Sequence, residues 1–165
     1  MARSEHDTAS EIEAAALSRR ALLGGMAAGV VLAAVGTQAQ ATPERMAAVV
    51  KEITRGAPVR EGRVKLELPP LAENGNSVLM TITVESPMSA ADHVKSIYVV
   101  SPENPLPNVA RFHLGPRAGR ARVATNIRLA GSQTLTAIAE MSDGSFWSGQ
   151  AATIVTLAAC IEQPM

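Results

Sequence analysis

Short runs of alternating apolar and polar residues constrain the fold of this chain more than any other feature of its sequence. One run, Val78, Met80, Ile82 and Val84, follows directly after a turn sequence at residues 74–76. A period of two is typical of a strand with one buried face, and Gly, Pro, Asn and Asp mark strand ends. Several short strands with a turn every roughly 8–12 residues are typical of an antiparallel β-sandwich. We expect about seven strands here, at residues 64–68, 78–84, 94–100, 112–114, 121–129, 135–141 and 146–156.

One helix is expected before the strands. Thr42 is a suitable N-cap, Pro43 fits the first turn, and Glu44 interacts favourably with the positive end of the helix dipole. Apolar residues then recur at helical spacing until Gly56, which ends the helix. They are Met46, Val49, Val50 and Ile53. The predicted fold class is therefore all-β, an antiparallel sandwich with a short N-terminal helix.

The N-terminal residues carry the three parts of an export signal in the correct order. Arg19-Arg20 is a charged pair, residues 22–35 are apolar, and Ala39-Gln40-Ala41 is a cleavage site. The apolar run is shorter than the roughly 20 residues that a membrane span needs. Because paired arginines fit a twin-arginine signal, we expect export to the periplasm. The expected regions are a signal peptide at 1–41, a β-sandwich domain at 42–157 and a C-terminal arm at 158–165.

The charge of the chain gives no reason to expect a nucleic acid or a membrane surface as a partner. Fifteen Lys and Arg are balanced by 15 Asp and Glu, which gives a formal net charge of 0. Binding to either partner usually shows as a basic patch or an excess of positive charge. Aromatic residues make up only 2% of the sequence, so the core must rest on aliphatic side chains.

Cys160 is the only cysteine, and it lies close to the C-terminus. Its thiol has no partner in its own chain, so it is free, modified or bonded to another molecule. Chain ends are usually mobile unless packing holds them, and an exposed thiolate could then enter the active site of another protein. A small buried residue at the end of the last strand is the alternative, and position alone leaves both open.

The other chemically interesting residues match no catalytic or metal motif. His93 and His113 lie on different predicted segments without a third ligand at metal-site spacing, so we expect ordinary strand residues. Asp143-Gly144 is expected to be a hairpin turn. Five arginines could form a solvated face or a patch that attracts a small anion or an acidic partner. They are Arg111, Arg117, Arg120, Arg122 and Arg128.

Four stretches, in order, resemble the SoxY family, the sulfur carriers of periplasmic thiosulfate oxidation. They are residues 68–78 (LPPLAENGNSV), 85–88 (ESPM), 103–110 (ENPLPNVA) and 139–147 (AEMSDGSFW). The resemblance covers nearly all of the sequence after the predicted signal, and the family also carries a twin-arginine signal.

The resemblance implies an immunoglobulin-like sandwich bound to SoxZ as a heterodimer, with sulfur intermediates held covalently on Cys160. A c-type cytochrome enzyme would conjugate thiosulfate to the thiol, a manganese thiol hydrolase would release sulfate, and a sulfane dehydrogenase would oxidise the remaining sulfur. The protein itself would be a carrier and not an enzyme, with no cofactor and no metal of its own.

The tail departs from the family pattern. SoxY proteins end in Gly-Gly-Cys-Gly-Gly, whereas this chain reads Ala158-Ala159-Cys160 followed by residues 161–165 (IEQPM). Ile161 is β-branched and bulky, and Glu162 places a negative charge near the thiol, where it opposes thiolate formation. Three hypotheses follow: a sulfur carrier acting through Cys160, a SoxZ-binding module that no longer shuttles sulfur, and a thiol enzyme that pairs Cys160 with a histidine. The distance in sequence between the tail and both histidines disfavours the third.

Overall fold

Two β-sheets packed face to face form the body of the protein, and one helix covers the outer face of the larger sheet. The computed structural model describes residues 42–159. The predicted signal peptide at 1–41 and Cys160, with the rest of the predicted arm, lie outside the described residues.

The described residues contain one α-helix, one short 3-10 helix (Pro116–Ala118) and nine strands. The helix, α1, spans Pro43–Thr54. The strands are β1 (Val59–Glu61), β2 (Val64–Glu67), β3 (Leu71–Ala72), β4 (Val78–Val84), β5 (Val94–Val100), β6 (Asn108–His113), β7 (Ala121–Ile127), β8 (Gln133–Met141) and β9 (Phe146–Val155).

The larger sheet has the strand order β1-β9-β8-β5-β6, with β3 also paired to β9, and the smaller sheet has the order β2-β4-β7. This two-sheet arrangement confirms the predicted immunoglobulin-like sandwich. All seven predicted strands form, with ends that differ by a few residues from the prediction. For example, β6 begins at Asn108, which is before the alternation around Phe112 becomes visible in the sequence.

The main core lies between the two sheets and is almost entirely aliphatic. It is built from alternate residues of each strand, as the period of two predicts. The residues of this core that are fully buried include Val78, Met80, Ile82, Ile97, Val99, Leu129, Leu135 and Met141.

Helix α1 packs its apolar face on the opposite side of the larger sheet. Thr42 caps it by accepting a hydrogen bond from the Arg45 backbone N–H at 3.3 Å, as its N-cap role predicts. The covering explains why β5 is buried on both faces, since Tyr98 and Val100 contact the helix cluster while Ile97 and Val99 face the main core. Among residues 42–159, no helix is long and apolar enough to cross a membrane.

Two very short strands were not predicted, and both run parallel to β9. Strand β1 pairs with the start of β9, and β3 pairs with its end. They add two short parallel pairs to a sandwich whose other strand pairs are all antiparallel within residues 42–159. Strands of two or three residues are too short to show an alternating pattern, and their pairing depends on chain segments that are distant in sequence.

The two sheets approach most closely where β2 crosses β9. A methyl group placed on Gly149 would overlap the carbonyl oxygen of Val64 and would lie 2.9 Å from its carbonyl carbon. Both are backbone atoms, so no side-chain rotation can relieve the overlap. Gly149 is therefore required for the two sheets to pack at this distance.

We predict that Gly149→Ala destabilises the domain by about 1–3 kcal/mol or more, because overpacking forces the backbone to shift. Urea unfolding at equilibrium measures the change in the free energy of unfolding. Gly115→Ala is the matched control, since its new methyl group meets nothing within 4 Å. Equal stability of the two variants would contradict the close approach of β2 and β9.

Candidate functional site

The end of β9 is the candidate site, because it leads to the only thiol in the sequence. Cys160 itself lies outside the described residues, but Ala159, which directly precedes it, is described. The chain is therefore described up to the residue before the thiol.

Residues 69–73 guide the end of β9 along the domain surface. The Ile154 N–H donates to the Pro70 carbonyl at 3.0 Å, and the Thr156 N–H donates to the Ala72 carbonyl at 3.1 Å. The Thr156 hydroxyl also donates to the Glu73 carbonyl at 2.9 Å. This stretch is one of the four that resemble the SoxY family, and here its backbone holds the strand that leads to Cys160.

After Thr156 the chain continues as a segment that we call the C-terminal strap, residues 157–159. The Gly75 N–H donates to the Leu157 carbonyl at 2.7 Å, and the Ala159 N–H donates to the Leu129 carbonyl at 2.9 Å. Leu129 in turn donates to the Gly75 carbonyl at 2.9 Å. Ala159 is 2% exposed. The arm was predicted to begin at residue 158, yet Ala159 is held against the domain by a hydrogen bond and by packing.

Asn104 fixes the loop that receives the strap. Its side-chain amide donates to the Arg128 carbonyl at 2.9 Å, and its side-chain oxygen accepts from the Ala130 N–H at 2.9 Å. Gln133 donates to the same oxygen at 3.1 Å. Leu129 therefore lies between two residues, Arg128 and Ala130, whose backbone is hydrogen-bonded to Asn104. Sequence reasoning missed this role, although an Asn inside a proline-rich loop is a signal for side-chain to backbone bonding.

The histidines lie at the far end of the sandwich from the strap. His93 directly precedes β5, whose first residue Val94 pairs with Met141 at the end of β8, whereas β8 begins at Gln133 beside the end of β9. At about 3.3 Å per residue, this places His93 roughly 25 Å from the strap along the sheet. His113 pairs with Ser96 and lies 3.0 Å from its hydroxyl, at the same far end. The structure therefore brings neither histidine to the residue before Cys160.

The arginines do not share one face. Arg111 lies on β6 at the edge of the larger sheet, with its guanidinium 4.8 Å from the centre of the Tyr98 ring, on the side that the helix covers. Arg122 lies on β7 at the edge of the smaller sheet, where it alternates with inward-facing Ala121 and Val123. The interpretation of a single arginine-rich patch is wrong for this pair, because the two strands belong to different sheets.

Asp143-Gly144 forms the predicted turn between β8 and β9. Gly144 has a φ of 83°, and the Met141 N–H donates to the Ser145 carbonyl at 2.9 Å. One oxygen of Asp143 accepts from the Ser145 hydroxyl at 2.7 Å and from the Ser145 N–H at 2.8 Å. The bond from the hydroxyl, followed by the one from the N–H, lowers the pKa of Asp143 below its ordinary value.

No group of three or more His, Cys, Asp or Glu side chains within residues 42–159 is arranged to hold a metal ion. The described part of the site consists of backbone contacts along the end of β9 and the residues after it.

The comparison with known families agrees with this arrangement. The model of the sulfur oxidation protein SoxY family matches residues 50–160. The match covers well over half of the chain and ends on Cys160, and the chain belongs to the SoxY family. It is therefore a sulfur oxidation protein of this family. A search of curated protein sequences gives no match.

Solved structures share the fold at low sequence identity. The sulfur carrier protein SoxY from Chlorobium limicola f thiosulfatophilum has a TM-score of 0.58 and 23% identity, over 70% of this chain and 100% of that chain. Superoxide reductase (neelaredoxin) from Ignicoccus hospitalis has a TM-score of 0.51 and 19% identity, over 73% of this chain and 98% of that chain. At these identities the likeness concerns the fold alone.

We predict a pH-dependent contribution of Asp143 to stability. Its pKa is lowered in the folded state, so its contribution is present above the unfolded pKa of about 3.9 and is lost as the pH falls through the folded value. Asp143→Asn should therefore be less stable than the parent at pH 6, and the difference should shrink toward pH 2. Chemical unfolding at several pH values measures it. Ser145→Ala removes the hydroxyl donor, keeps the N–H donor, and should show the same trend with pH. A difference in stability that is independent of pH would contradict the assignment.

Proposed function

We propose that this protein is a covalent sulfur carrier of thiosulfate oxidation, holding sulfur intermediates on Cys160 while partner enzymes process them. The observation that carries the proposal is the SoxY family match, which runs through residue 160 and so includes the only cysteine. The strap supports it further, because it ends one residue before that thiol.

The proposed chemistry begins with oxidative conjugation. The Cys160 thiolate and thiosulfate would join through a new S–S bond, and the two electrons released would pass to a c-type cytochrome enzyme. Hydrolysis by a manganese thiol hydrolase would add water, release sulfate and two protons, and leave a persulfide on Cys160. A sulfane dehydrogenase would then oxidise the outer sulfur of the persulfide anion with three water molecules to a sulfonate, releasing six protons and passing six electrons to a c-type cytochrome. A second hydrolysis would release sulfate and two protons and restore the Cys160 thiolate. The carrier supplies only the thiol, since nucleophilic sulfur chemistry needs a thiolate and no other side chain of the chain provides one.

We also propose SoxZ as the partner in a heterodimer. Two edge strands support this, because within residues 42–159 β6 pairs only with β5 and β7 pairs only with β4. Leu106 lies in the loop before β6 and is 73% exposed. Its loop is held by Asn104, so the side chain is presented on an ordered backbone, which suits an interface anchor.

We place the protein in the periplasm, exported by the twin-arginine pathway. The support is the order of signal elements in residues 1–41 and the chemistry of Cys160, since one cysteine cannot be consumed by an internal disulfide in an oxidising compartment.

The second candidate function is a SoxZ-binding module that no longer shuttles sulfur. The tail favours it, because Ala158 and Ala159 stand where the family has glycines and Ala159 is packed against the domain. Bulk and charge at Ile161 and Glu162 would also hinder entry into a narrow active site.

The carrier proposal predicts that Cys160→Ser abolishes thiosulfate-dependent cytochrome c reduction in a reconstituted Sox system, because serine forms no thiosulfonate or persulfide. The variant should keep the unfolding temperature of the parent. His93→Ala and His113→Ala are the matched controls and should keep the parent rate. If Cys160→Ser reduces cytochrome at that rate, the carrier assignment is wrong. If only a tail rebuilt as Gly-Gly-Cys-Gly-Gly is active, the natural protein is the binding module.

The heterodimer proposal predicts that SoxZ copurifies with this chain and that the complex survives Cys160→Ser. Leu106→Asp should weaken the complex, because it places a charge in a desolvated contact. Leu71→Asp is the matched control, since Leu71 is 53% exposed on β3, which pairs with β9 on the opposite side of the larger sheet from β6. Size-exclusion chromatography with light scattering measures the mass. A monomer at micromolar concentration with SoxZ present would remove the proposal.

The export proposal predicts that Arg19→Lys with Arg20→Lys keeps the protein in the cytoplasm, because the paired arginines form the recognition signal. Cell fractionation followed by immunoblotting measures the distribution. Lysine keeps the positive charge, so a loss of export would show that the arginine side chains, and not only their charge, are needed. Normal periplasmic levels would contradict the twin-arginine assignment.

A further inference from the structure

Gly75 is the residue on which the position of the C-terminal strap depends. It is buried, donates its N–H to the Leu157 carbonyl at 2.7 Å and accepts from the Leu129 N–H at 2.9 Å. The Ala159 N–H donates the third hydrogen bond, to the Leu129 carbonyl at 2.9 Å. Three backbone bonds therefore join the strap, Gly75 and Leu129, and they need no particular side chain from the strap.

The contact at Gly75 leaves no room for a side chain. A methyl group there would lie 2.6 Å from the Leu129 carbonyl oxygen, 2.8 Å from the Ala159 nitrogen and 3.0 Å from the Leu157 carbonyl oxygen. All three are backbone atoms, and two of them belong to the strap. Glycine is thus required for the close approach of backbone to backbone and not for an unusual torsion angle.

We propose that the strap is a latch on the sulfur-carrying arm, with Gly75 as its positioning residue. Closed, it fixes the root of the arm at Ala159; open, it moves the root back to Thr156. The functional meaning of the latch rests on the proposed carrier role of Cys160, whereas its existence does not.

The two states differ in how far Cys160 can reach. A chain extends by at most about 3.3–3.6 Å per residue, so with the latch closed Cys160 lies within about 4 Å of the anchored Ala159. Release of residues 157–159 adds three residues, and therefore about 10 Å of reach from Thr156. Thr156 stays attached, since both its N–H and its hydroxyl bond to the carbonyls of Ala72 and Glu73.

The latch is built to open separately from the sandwich. Leu157 is 59% exposed and contributes little burial, while Ala159 buries only a methyl group. By contrast, β9 up to Val155 is paired with strands on both sides at its two ends. Segments with few buried apolar contacts open at lower free energy than core strands, so opening should stop at Thr156.

Amide hydrogen exchange of the unmodified protein tests the closed state. Gly75 and Ala159 donate their amide hydrogens to latch bonds that break together on opening, so the two amides should show one common protection factor. That factor should be about tenfold or more, and lower than the protection factor of the Ile138 amide in the core. An Ala159 amide that exchanges at the unstructured rate, or as slowly as Ile138, would overturn the latch.

A spin label on Cys160 tests the role of Gly75, since the single cysteine makes labelling unique. Gly75→Ala should release the strap and shorten the rotational correlation time of the label severalfold. Ala159→Leu, which overfills the buried position from the strap side, should do the same without touching Gly75. Gly131→Ala is the matched control, because its methyl group meets nothing within 4 Å in the loop that follows Leu129.

Identical spectra for the parent and both release variants, with folding confirmed by circular dichroism, would overturn the proposal. Neither measurement uses turnover. A protein that fails the cytochrome assay but shows the exchange and spin-label changes has a latch without carrier activity. One that passes the assay without those changes is a carrier without a latch.

Discussion

Backbone pairing along β9 is the interaction on which the rest of the structure depends. This strand pairs with β8 over most of its length, with β1 at its start and with β3 at its end. It also meets β2 at Gly149, where the two sheets come into backbone contact. Because β9 is held from several sides, the chain that follows it starts from a fixed point. Only the strap, residues 157–159, separates Thr156 from Cys160 in sequence.

The fixed position of the chain after β9 bears directly on the proposed function. In the proposed carrier role, a covalent bond to the Cys160 thiol would hold the cargo, so the protein would need no binding pocket and would instead have to present that thiol reproducibly. Residues 68–78, one of the four stretches that resemble the SoxY family, run along the end of β9 and bond to it through their backbone, with Gly75 bonded to Leu157. This stretch therefore holds the end of β9 and residues 157–159 in place.

Several features of the fold were predictable because local physics determines them. Alternation marked every strand long enough to show it, the cap at Thr42 marked the start of the helix, and Asp143-Gly144 marked a hairpin turn. The two parallel strands β1 and β3 escaped prediction because their partners lie more than 80 residues away in sequence. A shared face for Arg111 and Arg122 could not be judged from sequence either. The two residues are close in sequence, but their strands belong to different sheets.

The sequence by itself indicated the fold class and the family, because both depend on residue identity and local pattern. It also contains a single cysteine, far in sequence from His93 and His113. Only the tertiary structure decided that the chain is held to the domain as far as Ala159. Burial of Ala159 and its bond to Leu129 arise from three segments meeting at Gly75. A local sequence pattern does not show this contact, because backbone hydrogen bonds between distant segments do not depend on side-chain identity. The one trace in the sequence is the glycine at position 75, where a side chain would not fit.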